Sequence, residues 1–224
     1  MTAPRVLMIL GQSPAQEAQF HNRPEHWACL ASHLRAADCA RRVISDDLAI
    51  LTPAFLADFD VIVNVSTALD PTPEQVSALL ARVHSGAGFV GVHAATATFV
   101  RYPEYLHMVG ARFAKHDPLK RFTVRFVDNT HPISAGLEEY EHDDELYELT
   151  GDYVDRTNIV PLQAGLHVLA EAEGHPMAYV KSHGNGRVVY LASGHDARSL
   201  DQPAFKTLFT RSIAWAAGNT QRST

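Results

Sequence analysis

Three short runs in the first half of the chain carry almost no charge: Arg5–Leu10 (RVLMIL), Val61–Val65 (VIVNV) and Gly88–His93 (GFVGVH). Hydrophobicity that is continuous rather than alternating marks strands covered on both faces, and such strands belong to parallel sheets flanked by helices. Helical signals fall between the runs. In the clearest, Thr72 is the N-cap, Pro73 and Gln75 take the first and third helical positions, and Gly86 closes the segment. Val76, Leu79, Leu80 and Val83 form its apolar stripe. Asn22, with Glu25 three residues on, opens an earlier helix through Trp27, Leu30, Ala31 and Leu34. Pro103–Val109 and Pro203–Ala217 predict two more, the last turning Phe205, Leu208, Phe209 and Ile213 inward.

The remaining signals are shorter. Arg42–Ser45 and Arg121–Val127 read as strands, and Met177–Lys181 with Arg187–Ala192 as a hairpin closed by His183-Gly184-Asn185-Gly186. Gly11 to His21 and Asp46–Asp60 read as loops, the second with one helical turn. Between Asp128 and Glu173 only turns at His131-Pro132 and Gly136 and strand-like pieces near Leu146 and Val168 stand out. Strand and helix alternate, which predicts an α/β fold of three layers, a mostly parallel sheet with helices on both faces. With no repeat or long linker, residues 1–224 are expected to form a single domain.

Composition removes several function classes. Twenty-five acidic against 19 basic residues give a net charge of −6, which disfavours nucleic acid or an anionic membrane as partner. No stretch approaches transmembrane length and Val6–Leu10 is too short for a signal-peptide core, so a cytoplasmic protein is expected. Cys29 and Cys39 are the only cysteines, and a disulfide framework is excluded. The unusual count is 13 histidines.

Ligands of open parallel sheets bind beyond the carboxyl ends of the strands. Three strands deliver a histidine there: the first runs into the loop holding His21, the third ends on His93, and Arg187–Ala192 runs into Gly194-His195-Asp196. Gly91-Val92-His93-Ala94-Ala95, before an expected helix, has the pattern of a nucleophile elbow with histidine in the nucleophile position. Imidazole is a weak acyl-transfer nucleophile but a good metal ligand and general base. The plainer alternative is a satisfied buried histidine on a packed turn. His195 beside Asp196 can be a base with an orienting carboxylate or a supported metal ligand, although Asp196 can equally cap or turn the chain. His116 and the Asp144-Glu145-Leu146-Tyr147 segment are weaker alone. Together His21, His93, His116, His195 and Glu145 offer donors suited to Zn²⁺, Mn²⁺ or Fe²⁺, though no short metal motif sets their spacing. His131 reads as a turn residue, and His33, His84, His107, His142 and His167 as helix-surface or loop positions.

In order and combination, several segments resemble the ThuA-like (trehalose utilisation) family. They are His21 before a helix, GFVGVHAAT at 88–96, PEYLHMVGARFAKHDP at 103–118, HPISAGL at 131–137, DELY at 144–147, GRVVYLASGHD at 186–196 and SIAWAAG at 212–218. The resemblance implies a flavodoxin-like, class I glutamine amidotransferase-like fold in which His93 stands where amidotransferases carry their cysteine and His195 near their triad histidine. Cys29 and Cys39, on or just after the first helix, cannot fill the elbow, so a cysteine-nucleophile reaction is not expected. The implied substrates are trehalose and related glycosides, including 3-keto-glycosides. A keto group acidifies the neighbouring C–H, so a carbonyl-polarising metal and a histidine base could drive elimination or hydrolysis. The leading expectation is therefore a metal-assisted hydrolase or lyase on a glycoside or keto-sugar. Its catalytic residues are His93, His195 and Glu145, its substrate contacts Tyr147 and Asp196, and its metal ligands His21, His93, His116 and His195. No nucleotide cofactor is expected; the partner is a small-molecule sugar, and a homo-oligomer is left open. The alternative is a non-catalytic sugar-binding or regulatory module on the same fold.

Overall fold

The computed structural model describes residues 3–13 and 21–218. Most of the polar stretch between Gly11 and His21 lies outside the described residues. The strands are β1 Arg5–Ile9, β2 Arg41–Ser45, β3 Val61–Asn64, β4 Gly88–Val92, β5 Arg112–His116, β6 Lys120–Phe126, β7 Tyr140–Asp144, β8 Tyr147–Thr150, β9 His167–Ala172, β10 His175–His183 and β11 Gly186–Leu191. The helices are α1 Arg23–Ala36, α2 Pro53–Leu56, α3 Pro73–His84, α4 Pro103–Val109, α5 Ala197–Leu200 and α6 Pro203–Ala217.

A nine-stranded sheet runs in the order β2-β1-β3-β4-β11-β10-β9-β6-β7. Its first five strands are parallel, as the apolar runs require. Val6–Ile9, Val61–Val63 and Phe89, Val90 and Val92 are at most 1% exposed. The chain crosses from β1 to β2 on one side and returns to β3 on the other, so the strand order reverses between β1 and β3. A crevice opens there beyond the strands' carboxyl ends. Helices α1, α5 and α6 pack together on one face, α6 lying across β3, β4 and β11; α2, α3 and α4 cover the other. The sequence-predicted cap of α3 forms, with Thr72 and Gln75 making reciprocal bonds.

The other four strands add antiparallel ladders, and the sheet is mixed. Two tight turns impose this direction. Glu173-Gly174 joins β9 to β10 with φ of 48° and 81°, and Gly184-Asn185 joins β10 to β11 with φ of 57° at Gly184. Two-residue turns can connect only antiparallel neighbours.

Two strands escape the apolar pattern. In β7 (YEHDD) the inward positions are His142 and Asp144, 2% and 0% exposed, so the expectation of a loop or surface His142 is corrected. His33 is likewise buried, its Nε2 donating to the Leu200 carbonyl at 2.9 Å. The short β5 (RFAKH) pairs only with β8, setting His116 opposite Tyr147 in a small separate sheet. The loop expected over Asp46–Asp60 holds α2 and a 3₁₀ turn at Leu48–Ile50. Among the described residues no helix is long and apolar enough to cross a membrane.

Candidate functional site

His93 follows β4 directly, in the left-handed region at φ 45°. A side chain with a β-carbon adopts that conformation only when its surroundings enforce it. Here the Tyr190 hydroxyl donates to the His93 carbonyl at 2.8 Å, and His93 Nδ1 donates to the Ala192 carbonyl at 2.8 Å. Gly194 has φ of 139°, and a Cβ there would lie 3.1 Å from His93 Cβ. The elbow leads into a 3₁₀ turn, His93–Thr96, rather than the expected helix.

The crevice collects the other histidines. His21 follows β1, and its Nδ1 bonds the Thr67 hydroxyl beyond β3 at 2.9 Å. His195 follows β11, as predicted, with its ring centroid 5.8 Å from that of His93 and 5.2 Å from that of His21. Glu145, in the two-residue link between β7 and β8, reaches over them. One donor atom each from His21, His93, Glu145 and His195 fall within 4.8 Å of one another. His116 stands just outside this set, its Nε2 3.4 Å from Glu145 Oε1.

With its Nδ1 proton directed to Ala192, His93 turns Nε2 toward Glu145 Oε2 at 3.3 Å. His195 Nδ1 stands 3.2 Å from Glu145 Oε1. Both nitrogens are buried and lack a hydrogen-bond partner of acceptable alignment. A buried carboxylate facing imidazole nitrogens in a low dielectric calls for a proton or a cation among them. Burial, reinforced by the charge of His93, His26 and His195, pushes His21 down to about 2, which keeps it neutral. The Glu145 carboxylate at its side holds His195 above its ordinary value, against burial. Burial would raise Glu145, yet contacts with His195 and His93 hold it well below the usual carboxylate range. The donor set thus fits a divalent cation by chemistry: three imidazoles and one ionised carboxylate.

A second layer fixes these groups. Asp144, 0% exposed, accepts from the backbone N–H of Gly194 at 2.9 Å and of His195 at 3.3 Å. It also accepts from His142 Nε2 at 3.0 Å and from Glu145 N at 2.8 Å. One carboxylate therefore ties the loop of His195 to the link bearing Glu145. From α1, His26 Nε2 donates to the His195 carbonyl at 2.7 Å. Neither His26 nor the supporting role of Asp144 stands out in the sequence. The signal lay in the DELY segment, where Asp144 directly precedes Glu145.

A cavity of about 420 Å³ opens over the cluster, lined among others by His21, His116, Glu145, Tyr147, His195, Arg112 and Arg156. Tyr147 packs on His93 with centroids 4.2 Å apart and stacks with His116. Asp196 does not line this cavity: its carboxylate caps α5 through Arg198 N and Ser199 N and pairs with the Arg198 guanidinium. Cys29 and Cys39 are free and half-buried, and burial pushes both thiols up.

A family model described as ThuA, trehalose utilisation, matches residues 5–216. Among solved structures, a ThuA-like protein from Parabacteroides merdae superposes with a TM-score of 0.77 at 20% identity, covering 99% of this chain and 92% of that one. A ThuA-like protein from Bacteroides uniformis gives 0.73 at 19% identity, over 96% and 93%. A cytoplasmic protein from Salmonella typhimurium gives 0.67 at 15% identity, over 95% and 99%. At these identities the likeness is one of fold. No curated protein matches the chain by sequence.

Proposed function

The chain belongs to the ThuA, trehalose-utilisation family, and from that premise we propose that it is a metal-assisted carbohydrate enzyme, a hydrolase or lyase acting on a glycoside or 3-keto-glycoside. The observation that carries this reading is the convergence of His21, His93, Glu145 and His195 donor atoms within 4.8 Å, with His21, Glu145 and His195 lining a small-molecule cavity. These four residues would hold the ion. When bound, it would polarise a substrate carbonyl or acidify a water.

The protein's own groups supply proton transfer and positioning. His116 Nδ1 donates to the Asp117 carbonyl at 2.8 Å, which turns its Nε2 toward Glu145 Oε1 at 3.4 Å. Outside the compact donor set but on the cavity wall, His116 is placed to take the proton from the carbon next to a keto group. The freed electron pair forms a double bond as the glycosidic C–O bond breaks, and the departing oxygen recovers a proton from His116. Tyr147, packed on both His93 and His116, shapes the wall against which the sugar ring lies.

The test is product analysis with a 3-keto-glycoside and its unoxidised parent. Cleavage of the keto form, lost in His93→Ala and His116→Ala, is expected. Binding of both sugars with turnover of neither would identify a non-catalytic sugar-binding module instead.

A further inference from the structure

Two guanidiniums line the histidine cavity, and among the described residues neither makes an ion-pair contact with a carboxylate. Arg112, on β5, and Arg156, in the loop after β8, both line it. Arg112 is half-buried and donates through Nη1 to the carbonyls of Tyr153 at 2.7 Å and Val154 at 2.9 Å. Its Nε is buried without a hydrogen-bond partner. Burial lowers the Arg112 pKa and the like charge of Arg156 lowers it further, against the opposing pull of Asp152 and Asp155.

The nearby carboxylates, Asp152 and Asp155, act on Arg112 through space but give their hydrogen bonds to other groups. Asp152 accepts from Val154 N, Asp155 N and Asn158 Nδ2, and Asp155 from the Thr157 N–H and hydroxyl. Glu145, the acid of the cavity, is held among the histidines. Two cations are therefore gathered at one opening, one of them with a buried donor left over. An uncompensated buried guanidinium N–H is costly, and the fork matches the two oxygens of a carboxylate or phosphate.

We propose that Arg112 and Arg156 form an oxyanion subsite, so that the substrate of this cavity is an anionic sugar bearing a carboxylate or phosphate group. This rests on the reading of the cavity as a sugar site. It adds that the neutral part of the sugar lies toward the histidines and Tyr147, and the anionic group toward the β5 edge.

The test is calorimetric titration of the purified protein with glucuronate, glucose 6-phosphate and glucose, with metal content measured on every variant. At least one anionic sugar should bind about tenfold or more tightly than glucose, a margin expected of a charge-assisted fork. Arg156→Ala, at an exposed position, and Arg112→Lys, which keeps the charge but not the fork, should each reduce that margin while metal content stays at the wild-type level. Whichever anion shows the larger margin identifies the oxyanion. Glucose binding as tightly as both anions, with metal content intact, overturns the oxyanion subsite alone. An anion preference that survives both substitutions places it on the histidine cluster and overturns the subsite as well. Failure of all three sugars to bind overturns the sugar site and the subsite together.

Discussion

Asp144 is the residue on which the rest of the site depends. It touches no cavity surface, yet it holds Gly194, His195, His142 and Glu145 in one arrangement. Asp144→Asn keeps the shape but puts an amide N–H₂ where one pair of donors now finds an oxygen, so either His142 and Gly194 N or His195 N and Glu145 N lose their acceptor. Outer-layer changes of this kind cost about 10- to 100-fold in metal affinity. We expect that loss in a metal titration, with the far-UV circular dichroism unchanged. Unchanged affinity would reduce Asp144 to a packing residue. His21, His93 and His195 were legible in the sequence because each follows a strand whose apolar run is unmistakable. His26 was not, because its partner, the His195 carbonyl, lies 169 residues away. The cysteines are a second residue-scale case. Both thiols are pushed up by burial and neither lines the cavity, so turnover should persist after alkylation of Cys29 and Cys39. Inactivation without unfolding would contradict this.

At the scale of elements, the site is positioned by how closely α6 presses on β4. A Cβ at Gly88 would lie 2.6 Å from Ala216 Cβ and 2.7 Å from its carbonyl oxygen. Backbone cannot yield as a side-chain tip can, so Gly88→Ala should destabilise the fold by about 1–3 kcal/mol. Denaturant unfolding checks this, and a wild-type midpoint would mean that α6 shifts freely. The elements nearest the ligand were the hardest to read. β7 presents His142 and Asp144 inward, the reverse of a hydrophobic alternation, because those positions face the site's supporting layer rather than the core. β5 has five residues and a single partner, β8, and so lacks the apolar run that marks a central strand. Both deliver site residues, and both depart from the pattern for that reason.

For the whole molecule, the parallel half was legible from three apolar runs, and the antiparallel half was not. The direction of β9 to β11 is decided by two-residue turns, and only the Gly184-Asn185 turn announced itself in the sequence. The fold places four donors from four distant segments around one point, and the central claim is that this point holds a divalent ion. Protonation competes with such binding. His21 is already neutral, but Glu145 raises His195, so protons compete with the ion there on acidification, and metal should be lost as pH falls below about 6. The most direct measurement is elemental analysis of protein purified without chelator, at neutral and at acidic pH, for wild type and His93→Ala. The expected result is about one divalent transition-metal ion per wild-type chain at neutral pH, released on acidification and missing from His93→Ala. Metal-free wild-type protein that turns over a keto-glycoside at full rate would contradict it and leave the histidines acting directly as acid and base.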